Sequence, residues 1–436
     1  MAEMKDSGIE WCGKIPIIWN VMPNKYVMHK KKEICPKYNG EDILSLTMDG
    51  VIVRDLDAGG KMPASFDGYQ RVHPHNLLMC LFDYDVTPRC IGLIQNEGLT
   101  SPAYSQFVMK NGNDARYYYY YYLMIDNTKE LLHLAKNLRH SFTEDQLGII
   151  NTPVPPVEIQ KQIAKYLDQK CEDIDAVYVE IEKQIETLEE YKKSIITEAV
   201  TKGLNPDVEM KDSGIEWMGM VPSTWESNKV LNCIDFIGGS QPPLSYFEGE
   251  EKEGYVRLIQ NRDYKTDDYM TFVPKRMVTK FCEVDDVMIG RYGPPLFVLH
   301  SGLKGAYNVA IMKAVPKLLD REFMAFYLQN YTLLQYIESF SKRTAGQAGV
   351  NTDILKKYPI YVPPMEEQKE IAIYLEKKCI EIDNVIGKKK EQLETLEQYK
   401  KSLIYEYVTG KKEVQDYEWN IDWKAVSTFH HGLSKK

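Results

Sequence analysis

The sequence lacks the features that mark membrane proteins and secreted proteins. No apolar run approaches the roughly 18 residues that a bilayer-spanning helix needs. The first residues, MAEMKDSG, do not have the basic-then-apolar order of a secretory signal. The eight cysteines are scattered and form no CxxC pair, which indicates reduced thiols. These absences predict a soluble, cytoplasmic protein with no membrane partner.

Catalytic motifs are missing as well. The sequence has no GxxxxGK[ST] phosphate loop, no GxSxG turn and no HExxH helix, and it has no Gly-rich cofactor turn with an Asn/Asp-Pro-Pro-aromatic site. His73, His75 and the pair His430–His431 stand without Cys or acidic neighbours at the spacing of metal ligands. We therefore predict that the chain is not an enzyme and binds neither a metal nor a cofactor.

Positive charge is in deficit, with 54 Lys and Arg against 63 Asp and Glu and a formal net charge of −9. That balance argues mildly against an autonomous nucleic-acid binder, because neutralising phosphates requires Lys and Arg. It does not exclude a nucleic-acid binder, since basic faces can coexist with acidic helices.

The length of 436 residues is more than a single hydrophobic core ordinarily accommodates, and it predicts two or three domains.

What the sequence does contain is a long tandem repeat. The octet MKDSGIEW occurs at 4–11 and again at 210–217, and each copy runs on through Gly and Pro to a second Trp. A second matched pair lies downstream at nearly the same offset, VPPVEIQKQIAKYLDQKCEDID at 154–175 and VPPMEEQKEIAIYLEKKCIEID at 362–383. This order predicts one scaffold that carries two different domains.

The second matched pair predicts two long helices. Each begins after Pro-Pro, has a Glu in its first turn, and continues with apolar residues in heptads between charged flanks, as in a coiled coil. The similarity of the copies favours antiparallel pairing with each other about a pseudo-twofold axis, although Lys192, Lys389 and Lys400 interrupt the seam. The alternative is two unrelated amphipathic helices, each packed on its own domain. The predicted seam residues are Ile174, Ile181, Leu188, Ile195, Ile382, Leu396 and Leu403.

The regions between the matched parts, 26–150 and 232–358, share little text. Short β-like runs punctuated by Gly and Pro predict mostly antiparallel sheet with a few helices, and RYYYYYYLM (116–124) indicates a helix with one buried face and exposed hydroxyls. The loops are rich in aromatic, basic and amide side chains, and Arg, Gln and Asn can read base edges in DNA; the alternative is ordinary surface loops. The candidate DNA-contacting residues are Arg71, Arg257, Gln260, Asn261, Arg262 and Arg291.

Taken together, this frame resembles the specificity subunit of Type I restriction-modification systems. The resemblance rests on KDSGIEWCGKIPIIW and its second copy, on LTSPAY and DVMIGRYG, and on the two VPPxExQKxIAxYL helix starts. The helix tails EEYKKSIITEAVTKG and EQYKKSLIYEYVTGKK fit as well. The match covers nearly the whole chain in the expected order.

The resemblance implies an α+β fold in which two globular mixed α/β target-recognition domains alternate with two long helices paired as an antiparallel coiled coil. Each domain would read one half of a bipartite site in double-stranded DNA, and the helices would set the gap between the halves. The subunit would have no activity alone. It would hold two modification subunits, which methylate adenine with S-adenosylmethionine, and it would recruit restriction subunits that use ATP and Mg²⁺.

The resemblance also implies further contacts. The loop TAGQAGVNTDIL, just before the second helix, matches the DNA-facing loop of the family, and LRHSFTEDQL is the aligned place in the first domain. The contacts implied in this way are Lys342, Arg343 and Gln347 in the second domain and Arg139, His140 and Ser141 in the first.

Each octet would dock its domain onto the helices, with Trp11, Trp19, Trp217 and Trp225 as buried anchors. The predicted divisions are 1–153 for the first target-recognition domain with its octet, 154–203 for the central helical region, 204–361 for the second target-recognition domain, 362–410 for the distal helical region and 411–436 for a C-terminal tail.

Two other functions stay open from the sequence. In one, the chain is a coiled-coil adaptor that binds proteins through the duplicated helices and has no DNA specificity. In the other, it is a self-contained methyltransferase or nuclease, which the missing cofactor and metal motifs oppose.

Overall fold

The computed structural model describes residues 3–58, 63–135, 140–215, 218–293, 295–340, 342–344 and 347–414, without the side chains of 134, 342–344 and 347–348. The chain divides into two compact units, and each unit combines one domain with parts of both long helices. Unit 1 consists of Met1–Glu180 with Gln392–Lys436, and unit 2 consists of Ile181–Glu391.

Unit 1 contains a domain of short strands and helices ahead of the first long helix. They are β1 (Met4–Asp6), β2 (Lys14–Pro16), β3 (Asn20–Pro23), α1 (Asn24–Val27), β4 (Met28–Lys31), β5 (Leu44–Thr47), β6 (Gly50–Val53), β7 (Gln70–Val72), β8 (Leu77–Met79), β9 (Ile91–Leu93), β10 (Gly98–Thr100), β11 (Ser105–Met109), α2 (Ala115–Thr128), a 3₁₀ helix (Glu130–Leu134), α3 (Glu144–Ile149) and β12 (Asn151–Val154). The main sheet has the antiparallel order β4-β11-β8-β9.

The first long helix, α4 (Val157–Lys202), leads into the domain of unit 2. Its elements are β13 (Met210–Asp212), β14 (Met220–Pro222), β15 (Glu226–Lys229), α5 (Val230–Cys233), β16 (Ile234–Gly238), β17 (Tyr255–Ile259), β18 (Phe272–Pro274), β19 (Phe281–Cys282), β20 (Val287–Gly290), β21 (Leu299–His300), β22 (Gly305–Tyr307), β23 (Ile311–Pro316), α6 (Arg321–Tyr327), α7 (Tyr331–Ser339), β24 (Lys342–Thr344), β25 (Gln347–Gly349), α8 (Thr352–Leu355) and β26 (Pro359–Val362), with 3₁₀ helices at Leu244–Tyr246, Asn261–Tyr264 and Lys275–Met277. The second long helix is α9 (Met365–Val408).

The two domains have the same topology although their sequences show little similarity. The main sheet of unit 2, β16-β23-β20-β21, repeats the order and direction of β4-β11-β8-β9. The second sheet of unit 2 is β18-β17-β22-β19, with β17 and β22 parallel. In unit 1 the pairs β6-β5 and β10-β7 meet through a parallel bridge between Ile43 and Leu99, which gives the same arrangement. The predicted α+β fold with two related domains is therefore confirmed.

The tyrosine run forms α2, and the helix is more deeply buried than its sequence indicates. Tyr117, Tyr118, Tyr121 and Tyr122 are all buried in the core of unit 1. Their hydroxyls, predicted to be exposed, bond inside the unit instead: that of Tyr117 donates to the carbonyl of Val408 at 2.8 Å, for example. A buried hydroxyl needs a partner, and this core supplies one from the long helix.

The long helices pair antiparallel within each unit, as predicted. In unit 1 the rings of Tyr166 and Tyr407 lie 4.5 Å apart, and Asp175 contacts Lys400 further along α4. In unit 2 Gln184 accepts a hydrogen bond from Lys389, and Lys192 pairs with Asp383. In both units, residues with higher numbers on α4 contact residues with lower numbers on α9, so the two helices run in opposite directions.

The lysines that interrupt the heptads reach across to the other helix. Lys192 Nζ lies 2.6 Å from Asp383 in unit 2, and Lys400 Nζ lies 2.5 Å from Asp175 in unit 1. Lys400 and Asp383 stand 208 positions after Lys192 and Asp175, so the two ion pairs are copies of one contact. The predicted seam residues Ile174, Ile382 and Leu403 are buried. The other predicted seam residues are half-buried, namely Ile181, Leu188, Ile195 and Leu396.

A buried glutamine fixes the start of each long helix to its domain. Gln160 accepts the backbone N–H of Asp114 at 2.8 Å and donates to Asn113 and to the carbonyl of Pro155. In unit 2, Gln368 accepts from the backbone N–H of Asp320 at 2.7 Å and donates to two carbonyls. Asp114 and Asp320 cap α2 and α6, so each glutamine links a long helix to the first turn of a domain helix.

The duplicated octets form two equivalent hairpins, β1-β2 and β13-β14. The second hairpin leads to Trp225, which is buried and donates from Nε1 to Glu367 on α9 at 3.1 Å. A Cβ on Gly203, just after α4, would lie 3.4 Å from the Trp225 ring. The second hairpin therefore docks at the end of one long helix and the start of the other.

The first hairpin docks on the long helices in the same way. Trp19 is buried and would touch a Cβ placed on Gly410, just after α9, while Lys411 donates to the carbonyl of Cys12 at 2.7 Å. Trp11 is half-buried, with its Nε1 bonded to the Tyr121 hydroxyl at 3.1 Å. The fourth predicted anchor, Trp217, lies outside the described residues.

Candidate nucleic-acid interface

In unit 2, a hairpin and a strand end form the centre of the candidate interface. The β24-β25 hairpin pairs Lys342 with Gly349 and Arg343 with Ala348. The carbonyl of Arg291, just after β20, accepts the N–H of Val350 at 2.9 Å. The hairpin, which also carries Gln347, therefore lies against Arg291 although their sequence separation is large. The side chains of Lys342, Arg343 and Gln347 are outside the description, so their predicted contacts stay predictions.

A glycine turn borders the same strand end. A Cβ on Gly238 would lie 3.7 Å from the Arg291 guanidinium, and a Cβ on Gly239 would collide with the carbonyl oxygens of Asn308 and Tyr307. The Arg291 guanidinium donates to the carbonyl of Val309 at 3.3 Å. Gly239 has to be glycine here because another backbone approaches too closely for any side chain.

The 3₁₀ turn Asn261–Tyr264 completes this surface. The Asn261 amide lies 3.1 Å from where a Cβ on Gly290 would stand, which places it next to Arg291. Gln260 donates to the Thr271 hydroxyl at 3.1 Å, and Arg262 extends over the ring of Tyr269, 5.7 Å from its centroid. The turn, the strand end and the hairpin thus bring together Asn261, Arg262, Arg291 and the backbone of 342–344 and 347–349.

Arg257 differs from its neighbours because it points inward. Its side chain is only 17% exposed, with Nη2 at 2.7 Å from Asp267 and Nε at 3.8 Å from Asp263. Burial raises the pKa of Asp263, a carboxyl group that is almost inaccessible to solvent. The structure therefore places Arg257 as a support beneath the turn and leaves Arg262 at the surface.

In unit 1, Arg71 is held by carboxylates. Its guanidinium lies 2.8 Å from Glu41, 3.4 Å from Glu97 and 3.7 Å from Glu33. His73 also bonds Glu33, at 2.9 Å, and that hydrogen bond lowers the pKa of the Glu33 carboxyl. Arg71 ends the segment GYQR, and Arg257 ends the similar segment GYVR. The two arginines nevertheless lie on strands that are not equivalent, β7 and β17.

The segment before α3 corresponds to the hairpin of unit 2. Phe142 donates its N–H to the carbonyl of Leu81 at 2.7 Å, which repeats the bond between Val350 and Arg291. His140 bonds Asp85 at 2.8 Å and lowers the pKa of that carboxyl, and Ser141 is half-buried beside it. Arg139 lies outside the described residues.

Sequence reasoning did not single out the basic run HKKK at 29–32, which lies on and just after β4. Counted from the short helix before each strand, Lys32 takes the place of Gly238 in unit 2. Lys30 pairs with Glu144 and Lys31 with Glu33, while Lys32 is exposed and forms no ion pair with the described residues. The sequence signal that could have identified this site is the run of three consecutive lysines at the end of β4.

The described residues contain neither a metal-ligand cluster nor a membrane-spanning helix. No group of three or more His, Cys, Asp or Glu in this part of the chain could hold a metal ion. No helix among the residues that the structure covers is long and apolar enough to cross a membrane.

Comparison with known proteins shows which proteins the chain is similar to. Residues 93–189 and 297–395 each match the family model of the Type I restriction modification DNA specificity domain. Each match runs from the main sheet of one domain, through the segment Ser141–Phe142 or the β24-β25 hairpin, into a long helix. The chain thus contains two separate regions that match this DNA specificity domain.

Two curated relatives are also named as specificity subunits. A putative type I restriction enzyme MjaX specificity subunit from Methanocaldococcus jannaschii is 30% identical over 287 residues, which cover 63% of this chain and 62% of the relative. The type I restriction enzyme MjaVIII specificity subunit from the same organism is 28% identical over 61% of this chain and 63% of the relative. The chain thus spans a little under two thirds of the length of these curated relatives.

A solved structure supports the fold. A chain from a structure of the type I R-M system superimposes with a TM-score of 0.67 at 15% identity. The superposition covers 91% of this chain and 99% of the other. At this level of identity the likeness establishes the architecture alone.

Proposed function

We propose that this chain is the sequence-specific DNA-binding specificity subunit of a Type I restriction-modification complex. Each domain reads one half of a bipartite target in double-stranded DNA, and the paired helices set the spacer between the halves. The observation that carries the proposal is one hydrogen bond that is repeated in both domains. The carbonyl at a strand end, Leu81 or Arg291, accepts the backbone N–H of Phe142 or Val350. These two donors lie before α3 and α8, inside the regions that match the family model.

The proposal assigns the chemistry to other subunits. The paired helices dock two modification subunits, which methylate adenine at N6 with S-adenosylmethionine, and the assembly recruits restriction subunits driven by ATP and Mg²⁺. This chain itself is non-catalytic, binds no cofactor and acts in the cytoplasm. The names of the relatives support this assignment, since both are called specificity subunits of restriction enzymes.

Recognition combines two kinds of contact. Lysines and arginines bind phosphates and fix the position of the domain on the duplex, but phosphate contacts carry no sequence information by themselves. Base edges in the major groove are read by Arg, Gln and Asn side chains. In unit 2 the adjacent Asn261, Arg262 and Arg291 supply the second kind, and in unit 1 Lys32 supplies the first.

The test is to co-express the chain with an adenine-modification subunit and map N6-methyladenine across the host genome. We expect methylation at one two-part motif with an unspecified gap, and none when this chain is omitted. A complex that forms without any new methylated motif would contradict the DNA-reading role and leave the adaptor hypothesis. A control with the modification subunit alone excludes background methylation.

A further inference from the structure

The turn Gln260–Tyr264 contains an unusual buried charge. The side chain of Asp263 is 1% exposed, and it lies between two guanidinium groups: Oδ2 is 3.8 Å from Arg257 Nε, and Oδ1 is 3.8 Å from Arg262 Nε. Oδ2 also accepts the backbone N–H of Gln260 at 3.1 Å, whereas Oδ1 has no hydrogen-bond partner among the residues that the structure describes. A buried carboxylate is unfavourable unless it is paired, so its placement beneath Arg262 needs an explanation.

The contacts of Arg262 hold the Nη2 edge of its guanidinium, and the Nη1 edge faces solvent. Nη2 lies 3.3 Å from the carbonyl of Tyr269 and 3.4 Å from the Thr271 hydroxyl, and the ring of Tyr269 lies beside the guanidinium plane. Nη1 forms no hydrogen bond with any described residue, and the side chain is 52% exposed. The planar fork is therefore held on its inner side by three groups and presents N–H donors to solvent.

We propose that Arg262 reads a guanine in the half-site recognised by unit 2, and that Asp263 is the positioning residue that orients its guanidinium for this contact. The proposal rests on the proposed function. A guanidinium fork matches O6 and N7 of guanine, the commonest specific pairing in the major groove. Orientation matters because a two-donor contact requires the plane of the fork to coincide with that of the base.

The location of the turn supports a role in reading. In the fold of unit 1 the corresponding connection, between β5 and β6, is a tight turn at Met48–Asp49 with no arginine. In unit 2 the connection between β17 and β18 is expanded to residues 260–271 and contacts the strand end that carries Arg291. An expanded segment with a buried support is expected where the two domains read different bases.

The experiment uses the full chain in complex with its modification subunits and duplexes that contain the mapped target. Each guanine of the half-site assigned to unit 2 is replaced in turn by 7-deazaguanine, which lacks the N7 acceptor. We expect binding to weaken about 5- to 100-fold at one position, the range of a lost two-donor base contact. Arg262→Ala and Asp263→Asn should both abolish this sensitivity.

Three comparisons separate positioning from general support. The double variant Arg262→Ala/Asp263→Asn should bind no more weakly than Arg262→Ala, because Asp263 acts only through Arg262. Arg276→Ala, which removes an exposed arginine from the neighbouring 3₁₀ helix, should keep the full sensitivity to 7-deazaguanine. Thermal unfolding of each variant checks that it is folded, and Arg262→Lys keeps the charge but loses the fork, so it should lose base discrimination while still binding DNA.

Several results would overturn the proposal. If Arg262→Ala weakens binding equally for every duplex and lowers the salt dependence by about one phosphate contact, then Arg262 binds the backbone and not a base. A half-site for unit 2 without any G·C pair would also contradict it, and so would full guanine sensitivity in Asp263→Asn. If the wild-type complex recognises no bipartite target at all, the proposed function itself fails, which is a distinguishable outcome.

Discussion

Gly387 and Gly410 both belong to the second helical repeat, but their surroundings differ. Gly387 lies inside α9, and a Cβ placed on it would meet no atom within 4 Å. Gly410 follows the helix with φ of +70°, and a Cβ there would collide with Pro16 and approach the Trp19 ring to 2.8 Å. The first glycine is tolerated by the helix, and the second is required by the docking of the first hairpin.

We therefore expect opposite effects from the same substitution. Gly387→Ala should raise the free energy of unfolding by about 0.5–1 kcal/mol, because Gly loses more backbone entropy than Ala in a helix. Gly410→Ala should lower it by more than about 1 kcal/mol, because of the positive φ and the steric overlap. Denaturant unfolding of the two variants tests this. A neutral Gly410→Ala would show that the hairpin does not depend on this close approach.

Arg343→Ala tests the predicted reading residue on the β24-β25 hairpin. Loss of one base or phosphate contact should weaken recognition of the half-site read by unit 2 by about 1–3 kcal/mol and leave the other half unchanged. Methylation mapping or binding to duplexes altered in one half measures this, with Arg276→Ala as the exposed-arginine control. Equal loss at both halves would contradict two independent readers.

Single side chains were also where sequence reasoning reached its limit. The sequence around Arg71 does not indicate that Glu33, Glu41 and Glu97 surround its guanidinium, because those residues come from separate strands and loops. Arg262 and Arg257 are equally plausible readers in sequence. Only the fold shows that one is 52% exposed and the other 17%.

At the scale of elements, the repeated glutamine explains part of the repeated motif. Gln160 and Gln368 are buried, and each makes three hydrogen bonds. Two of the three tie the long helix to the segment that caps a domain helix, and the third goes to the proline carbonyl before the long helix itself. Replacement of either by Ala should lower the free energy of unfolding by about 1–3 kcal/mol, since backbone groups would be left buried without partners.

Gln169→Ala is the matched control for this prediction, because Gln169 lies on the same helix, is exposed and makes one bond, to Asp173. It should change the free energy of unfolding by less than about 0.5 kcal/mol. Thermal or denaturant unfolding distinguishes the two positions. Similar small effects at Gln160 and Gln169 would mean that the contact with Asp114 does not hold the helix in place.

The cross-helix ion pairs make a weaker contribution. Lys400 and Asp175 are partly exposed, so a double-mutant cycle with Ala at both positions should give a coupling energy of about 0.2–1 kcal/mol. The equivalent pair, Lys192 and Asp383, should give a similar value in unit 2. The coupling should decrease at high salt. A coupling above about 2 kcal/mol would show that the seam excludes water at these lysines.

Elements that carry the repeat could be predicted well from the sequence. The heptads and the Pro-Pro starts define α4 and α9, since helical periodicity and its stop signals are local properties of the chain. The β topology of the two domains could not be predicted, because strand order depends on contacts between residues far apart in sequence. The shared sheet order of 26–150 and 232–358 became visible only in the structure.

For the whole molecule, the duplicated contacts predict that a domain can be exchanged. Replacing residues 26–150 by a second copy of 232–358 keeps the hairpins, the glutamines and the long helices that hold each domain. We expect the chimera to direct methylation to a target with two copies of the half-site of unit 2 and to lose the other half completely. Genome-wide methylation mapping tests this. Retention of the original site would show that residues 26–150 do not carry the first specificity.

The docking of each hairpin at the ends of the long helices has an evolutionary consequence. The residues that hold a domain in place, such as Trp19 and Trp225, belong to the repeated parts of the sequence. Arg262 and Lys32 belong to the variable regions between them. Under the proposed function, selection on the recognised bases would therefore act on residues outside the repeated sequence. Recombination between the repeats of such a gene would exchange a whole domain, and with it one half of the proposed target, in one step.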